Sequence, residues 1–171
     1  MTVYKQVAIR DALADDVEAI TALHNSVIEE GLLTWSTPRT VAQTSEEIQH
    51  LDGLDYPHLL AVSEDEVIAS ATLSPVWDTL SDVGCMYSAK LEIVVHVARR
   101  KEGIAGRLFE ELRKHPRTIA RGLYCIRCEP FALNQLLSSD LDAYPGKVLD
   151  INVSAVEWLE SSGFHYDGRS A

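Results

Sequence analysis

The stretch RRKEGIAGRLFEEL, Arg99 to Leu112, sets the densest cationic run of the chain at a glycine-containing turn and then settles into a helical rhythm. Directly before it, CMYSAKLEIVVHV is the longest strand-like run, and its contiguous Ile, Val and Val fit a strand covered on both faces. A strand that feeds a glycine turn at the head of a helix presents free backbone N–H groups with the positive end of the helix dipole behind them. Such an arrangement binds phosphate. Gly103 and Gly106 let backbone come close to a ligand, while Arg99, Arg100, Lys101 and Arg107 concentrate positive charge in a chain of net charge -11. The turn reads as a local anion site, followed by a helix from about Gly103 to His115.

Outward from this point the elements alternate. YKQVAIRDA is a first strand, and DDVEAITALHNSVIEEG an amphipathic helix, with Asp15 and Glu18 at capping-box spacing and Val17, Ile20, Leu23 and Val27 at helical intervals. LLTWSTPRT is a loop and VAQTSEEIQHL a second helix. HLLAVSEDEVIASATLSPV gives a hairpin with strands at about residues 58 to 63 and 67 to 74, joined by the polar SEDE. After the glycine turn and its helix come a strand, GLYCIRCEP, and a last helix, NVSAVEWLESSGF, stopped at Gly163. The order predicts one α/β domain over residues 1–171 with a mixed sheet, and with a segment at about 130–151 set between the last strand and the last helix.

Composition narrows the class. A hydrophobic content of 46% suits a globular chain, no run approaches a membrane span, and the first residues do not read as a signal peptide, so a cytoplasmic protein is expected. The acidic balance argues against nucleic-acid or membrane partners and suits a cationic small molecule. Three cysteines, Cys85, Cys125 and Cys128, form no even set, and CIRC lies in a strand-like run that points residues three apart to opposite faces; no metal or redox site is expected.

The anion can be narrowed as well. A Walker loop needs Gly-Lys-Ser/Thr, and a dinucleotide fingerprint needs three glycines at Rossmann spacing; neither is present. Arg100, Lys101, Glu102, Gly103, Ile104 and Ala105 instead spell Arg-x-x-Gly-x-Ala after LEIVVHV. This resembles the acetyl-CoA signature of the GNAT superfamily of N-acetyltransferases. The stretches IRDALADDVEAITALHNSV, TWSTP, YPHLLAVSEDEVIASATLSPVW, VVHVARRKEGIAGRLFEEL and NVSAVEWLESSGF also follow one another as in phosphinothricin acetyltransferase-like members, across most of residues 8 to 164.

The resemblance implies a mostly antiparallel central sheet with flanking helices, splayed between its fourth and fifth strands, and an acetyl-CoA-dependent enzyme that moves an acetyl group to a primary amine of a small molecule by direct attack. Carried over, the pantetheine arm pairs with Ile93, Val94 and Val95, the pyrophosphate is held by the Arg100 to Gly106 segment, and Asn152 contacts the cofactor. An alkyl amine has a pKa near about 10.4 and needs a base. Glu92 is the candidate, although the glutamate of the phosphinothricin type aligns with Lys90. The N–H of Val95 is a candidate oxyanion donor. Acceptor contacts would fall on Asn25, Glu29, Glu30, Trp35 and Trp77, aromatic walls with carboxylates suited to a cation.

Two departures stand out. Many relatives carry a Tyr in the last helix that protonates the departing thiolate, but here that position is Leu159, leaving Tyr144 of the 130–151 insertion as the candidate replacement. Relatives also continue past GFHYDGRSA into a closing strand, so the resemblance leaves an open sheet edge for the insertion, or a second copy in a homodimer, to cover. A catalytically weak or inactive acyl-CoA-binding module is the alternative function.

Overall fold

The computed structural model describes residues 6–29, 37–76, 87–123, 125–127 and 157–164. Its strands are β1 (Ala8–Asp11), β2 (His58–Ser63), β3 (Glu66–Pro75), β4 (Ser88–Val95) and β5 (Cys125–Arg127). Its helices are α1 (Val17–Glu29), α2 (Val41–Gly53), α3 (Ile104–Lys114), α4 (Pro116–Ala120) and α5 (157–161). The strands form one sheet in the order β1-β2-β3-β4-β5. Each neighbouring pair from β1 to β4 is antiparallel, and β5 lies parallel to β4 after the crossover through α3 and α4. The mixed, mostly antiparallel sheet expected from the sequence is thus the observed one.

Local chemistry explains the element ends. Glu64 and Asp65 have φ of 52° and 64°, so the polar turn between β2 and β3 is a two-residue connection of the primed type that matches strand twist. At α2, Thr40 and Gln43 form a reciprocal cap: the Gln43 N–H donates to Thr40 Oγ1 at 3.2 Å, and the Thr40 N–H donates to Gln43 Oε1 at 2.9 Å. The start of α1 differs from the sequence expectation. In place of the Asp15 and Glu18 box, a short 3-10 turn (Ala14–Asp16) precedes the helix, and Asp16 accepts the Leu13 N–H at 2.8 Å while pairing with Arg10. Asp16 wins because Arg10 on β1 holds its carboxylate in place and lowers its pKa.

The α4 helix was not legible in the sequence. His115 caps it, accepting the Arg117 N–H at its Nδ1, and Pro116 occupies the first turn, where a missing N–H costs nothing. The other ring nitrogen of His115 meets Asp11 Oδ1 at 3.0 Å, which ties the α3–α4 corner to β1.

The sheet is buried on both faces. On one side, Ala71, Leu73, Ala89 and Leu91 pack beneath Ile104, Leu108, Phe109 and Leu112 of α3. Truncating the fully buried Leu108 to Ala should cost roughly 2–5 kcal/mol. Phe109 also meets Trp158 edge-on at 6.1 Å and Phe164 at 5.3 Å, which brings α5 against α3. On the opposite side, Ile20, Leu23 and Val27 of α1 cover Leu60 and Val94.

Candidate active site

Strand register fixes what β4 offers. The His96 N–H donates to Ile68 O at 2.9 Å, one step beyond the Ala69–Val95 pair. In an antiparallel ladder hydrogen-bonded pairs alternate, so Glu92 opposite Thr72 and Val94 opposite Ser70 exchange bonds with β3. The peptide groups of Leu91, Ile93 and Val95 therefore face the other way, toward β5. The described β4–β5 ladder spans only Ser88 to Lys90, and among the described residues no strand pairs with Leu91 to Val95 on that side. An extended ligand would find Ile93 and the N–H of Val95 presented to it, the Val95 carbonyl accepting from Arg100, while Val94 has its peptide groups engaged with β3 and its side chain under α1.

The chain then enters the glycine turn. Lys101 and Gly103 both have positive φ, 65° and 76°, and this pair of left-handed residues shapes the turn at the head of α3. Gly103 is the α3 N-cap, and among the described residues no side chain caps the helix there. Among the described residues a Cβ at Gly103 would meet nothing within 4 Å, so glycine is favoured there by the backbone conformation and not by crowding. At Gly106, by contrast, a Cβ would touch Trp158 at 3.7 Å, an ordinary contact. Ile104 is buried in the core and can offer only its N–H, whereas Lys101, Glu102 and Gly103 are exposed. Arg99 is ion-paired with Glu102 at 3.0 Å, and Arg100 folds back so that its Nε donates to Val95 O at 3.1 Å. His96 steadies the same corner by accepting the Ala98 N–H at 3.3 Å.

Glu92 sits on the opposite face, under α1 and α2. Burial pushes its carboxyl pKa up; Arg39 and Lys90 pull it down and Glu47 adds to the rise. Arg39 is ion-paired with Glu47 of α2. Its backbone is gripped by Asn25, whose Oδ1 accepts the Arg39 N–H at 2.8 Å and whose Nδ2 donates to Arg39 O at 3.0 Å. Asn25 thereby places the Arg39 loop over the Glu92 face. Glu29 closes α1. Glu30, Trp35, Trp77, Tyr144 and Asn152 lie outside the described residues.

Sequence reasoning missed Arg39, Glu47, His24 and His58. Nothing in their local pattern marks them, since strand register and loop placement bring them together. Leu159, at the position for which the resemblance implies a Tyr, is buried, 8% exposed.

No protein-family model matches the chain, and no curated protein matches it. Solved structures do. A GNAT superfamily phosphinothricin acetyltransferase from Sinorhizobium meliloti, in complex with acetyl-CoA, is 22% identical, with 93% of this chain and 75% of that one covered and a TM-score of 0.73. A ribosomal-protein-alanine N-acetyltransferase from Brucella melitensis is 21% identical, covering 92% and 84%, with a TM-score of 0.72. An acetyltransferase from Salmonella typhimurium with its cofactor acetyl-CoA is 18% identical, covering 93% and 79%, with a TM-score of 0.72. The chain has the GNAT acetyltransferase fold, and its structural neighbours include a phosphinothricin acetyltransferase.

Proposed function

We propose that this protein is an acetyl-CoA-dependent N-acetyltransferase acting on a primary amine. The observation that carries the reading is the continuity of the outward edge of β4, with Ile93 and Val95 presented on the β5 side, into an uncapped helix start shaped by Lys101 and Gly103. Such a track suits a long ligand with an amide-bearing arm and a diphosphate. The residues fit that group: Ile93 and Val95 offer strand-like pairing, and the amides from Lys101 to Gly106 offer a diphosphate cradle, with Asn152 as a further expected contact. When bound, acetyl-CoA supplies an acetyl group activated as a thioester.

Glu92 is the proposed base, taking a proton from the acceptor ammonium so that the amine can attack. Burial raises its proton affinity above that of an ordinary carboxylate, which favours its taking a proton. The N–H of Val95 is the proposed donor to the developing oxyanion, and its direction away from β3 leaves it available for that role. Asn25 acts by holding Arg39, and Glu29, Glu30, Trp35 and Trp77 complete the proposed acceptor wall. Tyr144 remains the proposed proton donor to the thiolate, in a homodimer or monomer alike.

A second reading has its own support. Leu159 carries no proton to donate, which favours a catalytically weak acyl-CoA-binding module. One experiment separates the two. The protein is mixed with acetyl-CoA and a panel of amines, and free CoA thiol is followed. Thiol release dependent on an amine supports the transferase; stabilisation by acetyl-CoA without amine-dependent release supports the binding module.

A further inference from the structure

α5 leans a tryptophan against the first turn of α3. Trp158 meets Phe109 edge-on, with ring centroids 6.1 Å apart and planes at 80°, and its Nε1 lies 3.7 Å from where a Cβ on Gly106 would sit. Each Cα–Cβ bond of a helix tilts toward the N-terminus, so that position is on the mouth side of the Gly106 backbone. The polar edge of the indole is thus what α5 brings to the start of α3.

Gly106 is also where the uncommitted amides end. The first bond of the α3 ladder runs from the Arg107 N–H to Gly103 O at 3.2 Å, so the N–H groups of Ile104, Ala105 and Gly106 come before it. Only the short step from Cβ through Cα to N separates the contact point from the Gly106 nitrogen, which puts Nε1 within about 6 Å of that nitrogen. Two donors this far apart, each bonding at about 2.9 Å, reach neighbouring oxygens of one phosphate group.

The indole N–H is placed but not used. Trp158 is partly buried, and among the described residues no acceptor takes up its Nε1–H. An indole has a donor and no acceptor, so its edge suits an anion. Among the described residues, Gly103, Gly106 and Arg107 line a groove of about 530 Å³ at this end of α3, with Glu110 and Glu111 a turn further along. The two glycines leave the helix start bare toward a ligand, and Arg107 adds positive charge beside it.

We infer that Trp158 is a cofactor-binding residue, its Nε1–H donating to the diphosphate beside the Gly106 amide. The inference rests on the acetyl-CoA reading of the turn and adds to it a donor from a second element. It also accounts for the small residue opposite the indole, since a longer side chain at position 106 would cover the ring edge or push it aside.

The test is Trp158→Phe, which keeps an aromatic ring against Phe109 and removes the donor. The Kd for acetyl-CoA should rise about tenfold, as for the loss of one hydrogen bond to a charged group. An unchanged Kd would overturn the inference. A second measurement needs no altered packing: in wild-type protein labelled with nitrogen-15, the indole N–H resonance of Trp158 is the one missing from the variant. It should move as CoA is added and stay in place with pantetheine, which has the arm but no diphosphate. A resonance that stays in place with CoA bound, or that moves equally with pantetheine, would also overturn it. If acetyl-CoA neither binds nor stabilises the wild-type protein, the reading beneath fails and takes this inference with it. Binding with an unmoved resonance removes the inference alone.

Discussion

The Asn25 side chain is bonded at both ends to the backbone of Arg39, accepting at 2.8 Å and donating at 3.0 Å. One residue of α1 thus fixes the loop that leads into α2, and with it the guanidinium that faces Glu47 and influences Glu92. Asn25→Ala removes both bonds and leaves two backbone groups seeking partners. We expect a stability loss of roughly 1–3 kcal/mol in urea titration. Under the transferase reading, the KM for the amine should rise several-fold while that for acetyl-CoA holds. An unchanged amine KM would separate Arg39 from acceptor placement.

Glu92 carries opposite consequences for activity and stability. Its pKa is raised by burial, so the folded protein holds that proton to higher pH than the unfolded chain, and ionisation at neutral pH works against folding. Glu92→Gln should therefore increase resistance to urea, with the gain growing as pH rises through the raised pKa. Turnover should fall in the same variant, most strongly between that pKa and the pKa of the acceptor amine, where a base is needed and ionised. Acetyl-CoA affinity should be nearly unaffected. Lower stability at neutral pH would contradict the electrostatic assignment.

The two buried histidines act with the other sign. Burial lowers His24 to about 3 and His58 to about 4, so the native state keeps both neutral where the unfolded chain takes up protons. Their stabilising effect is complete above about pH 6.5 and is lost progressively as pH falls toward those values. At roughly 1.4 kcal/mol per unit, His58 alone is worth about 3 kcal/mol between these limits. Urea midpoints measured from pH 7 to pH 4 should fall steeply, and His58→Gln should flatten the slope. Parallel profiles for variant and wild type would disprove the assignment.

Gly103 tests the turn by backbone conformation alone. With φ at 76° and, among the described residues, nothing within 4 Å of an added Cβ, Gly103→Ala introduces no clash with them and costs about 1–2 kcal/mol through the left-handed geometry. Under the proposed function, acetyl-CoA affinity should drop with it, and Gly103→Asn, which tolerates this region better, should recover much of both. For wild type, cofactor at a hundredfold excess over Kd should add about 2.7 kcal/mol of stability. Equal affinity in all three proteins would detach the turn from cofactor binding.

The order of the elements could be read from the sequence because each carried a local signature. The β2–β3 hairpin has its polar turn, α1 its apolar residues at helical intervals, and β4 its contiguous aliphatics before Gly103. The parts that were hidden depend on distant partners. Asp16 displaced the expected Asp15 box because Arg10, on another element, reaches it. The α4 helix is short and starts from a histidine cap that also answers to Asp11. On the candidate site, the glycine turn stood out through composition, whereas the row of His58, Thr72 and Glu92 across β2, β3 and β4 exists only through strand register. Two of its three members belong to runs that look like plain sheet.

The hydrogen bond from Arg100 to the Val95 carbonyl closes a small ring of chain between the end of β4 and the start of the turn. That ring acts as a rigid bracket. Tilting the turn must tug on the strand tip, and straining the strand tip must tilt the turn. A molecule lying along both would have its middle held at a fixed span from its end, so the bracket works as a gauge of length as well as a fastening. Replacing Arg100 would leave both surfaces in place but free to drift apart.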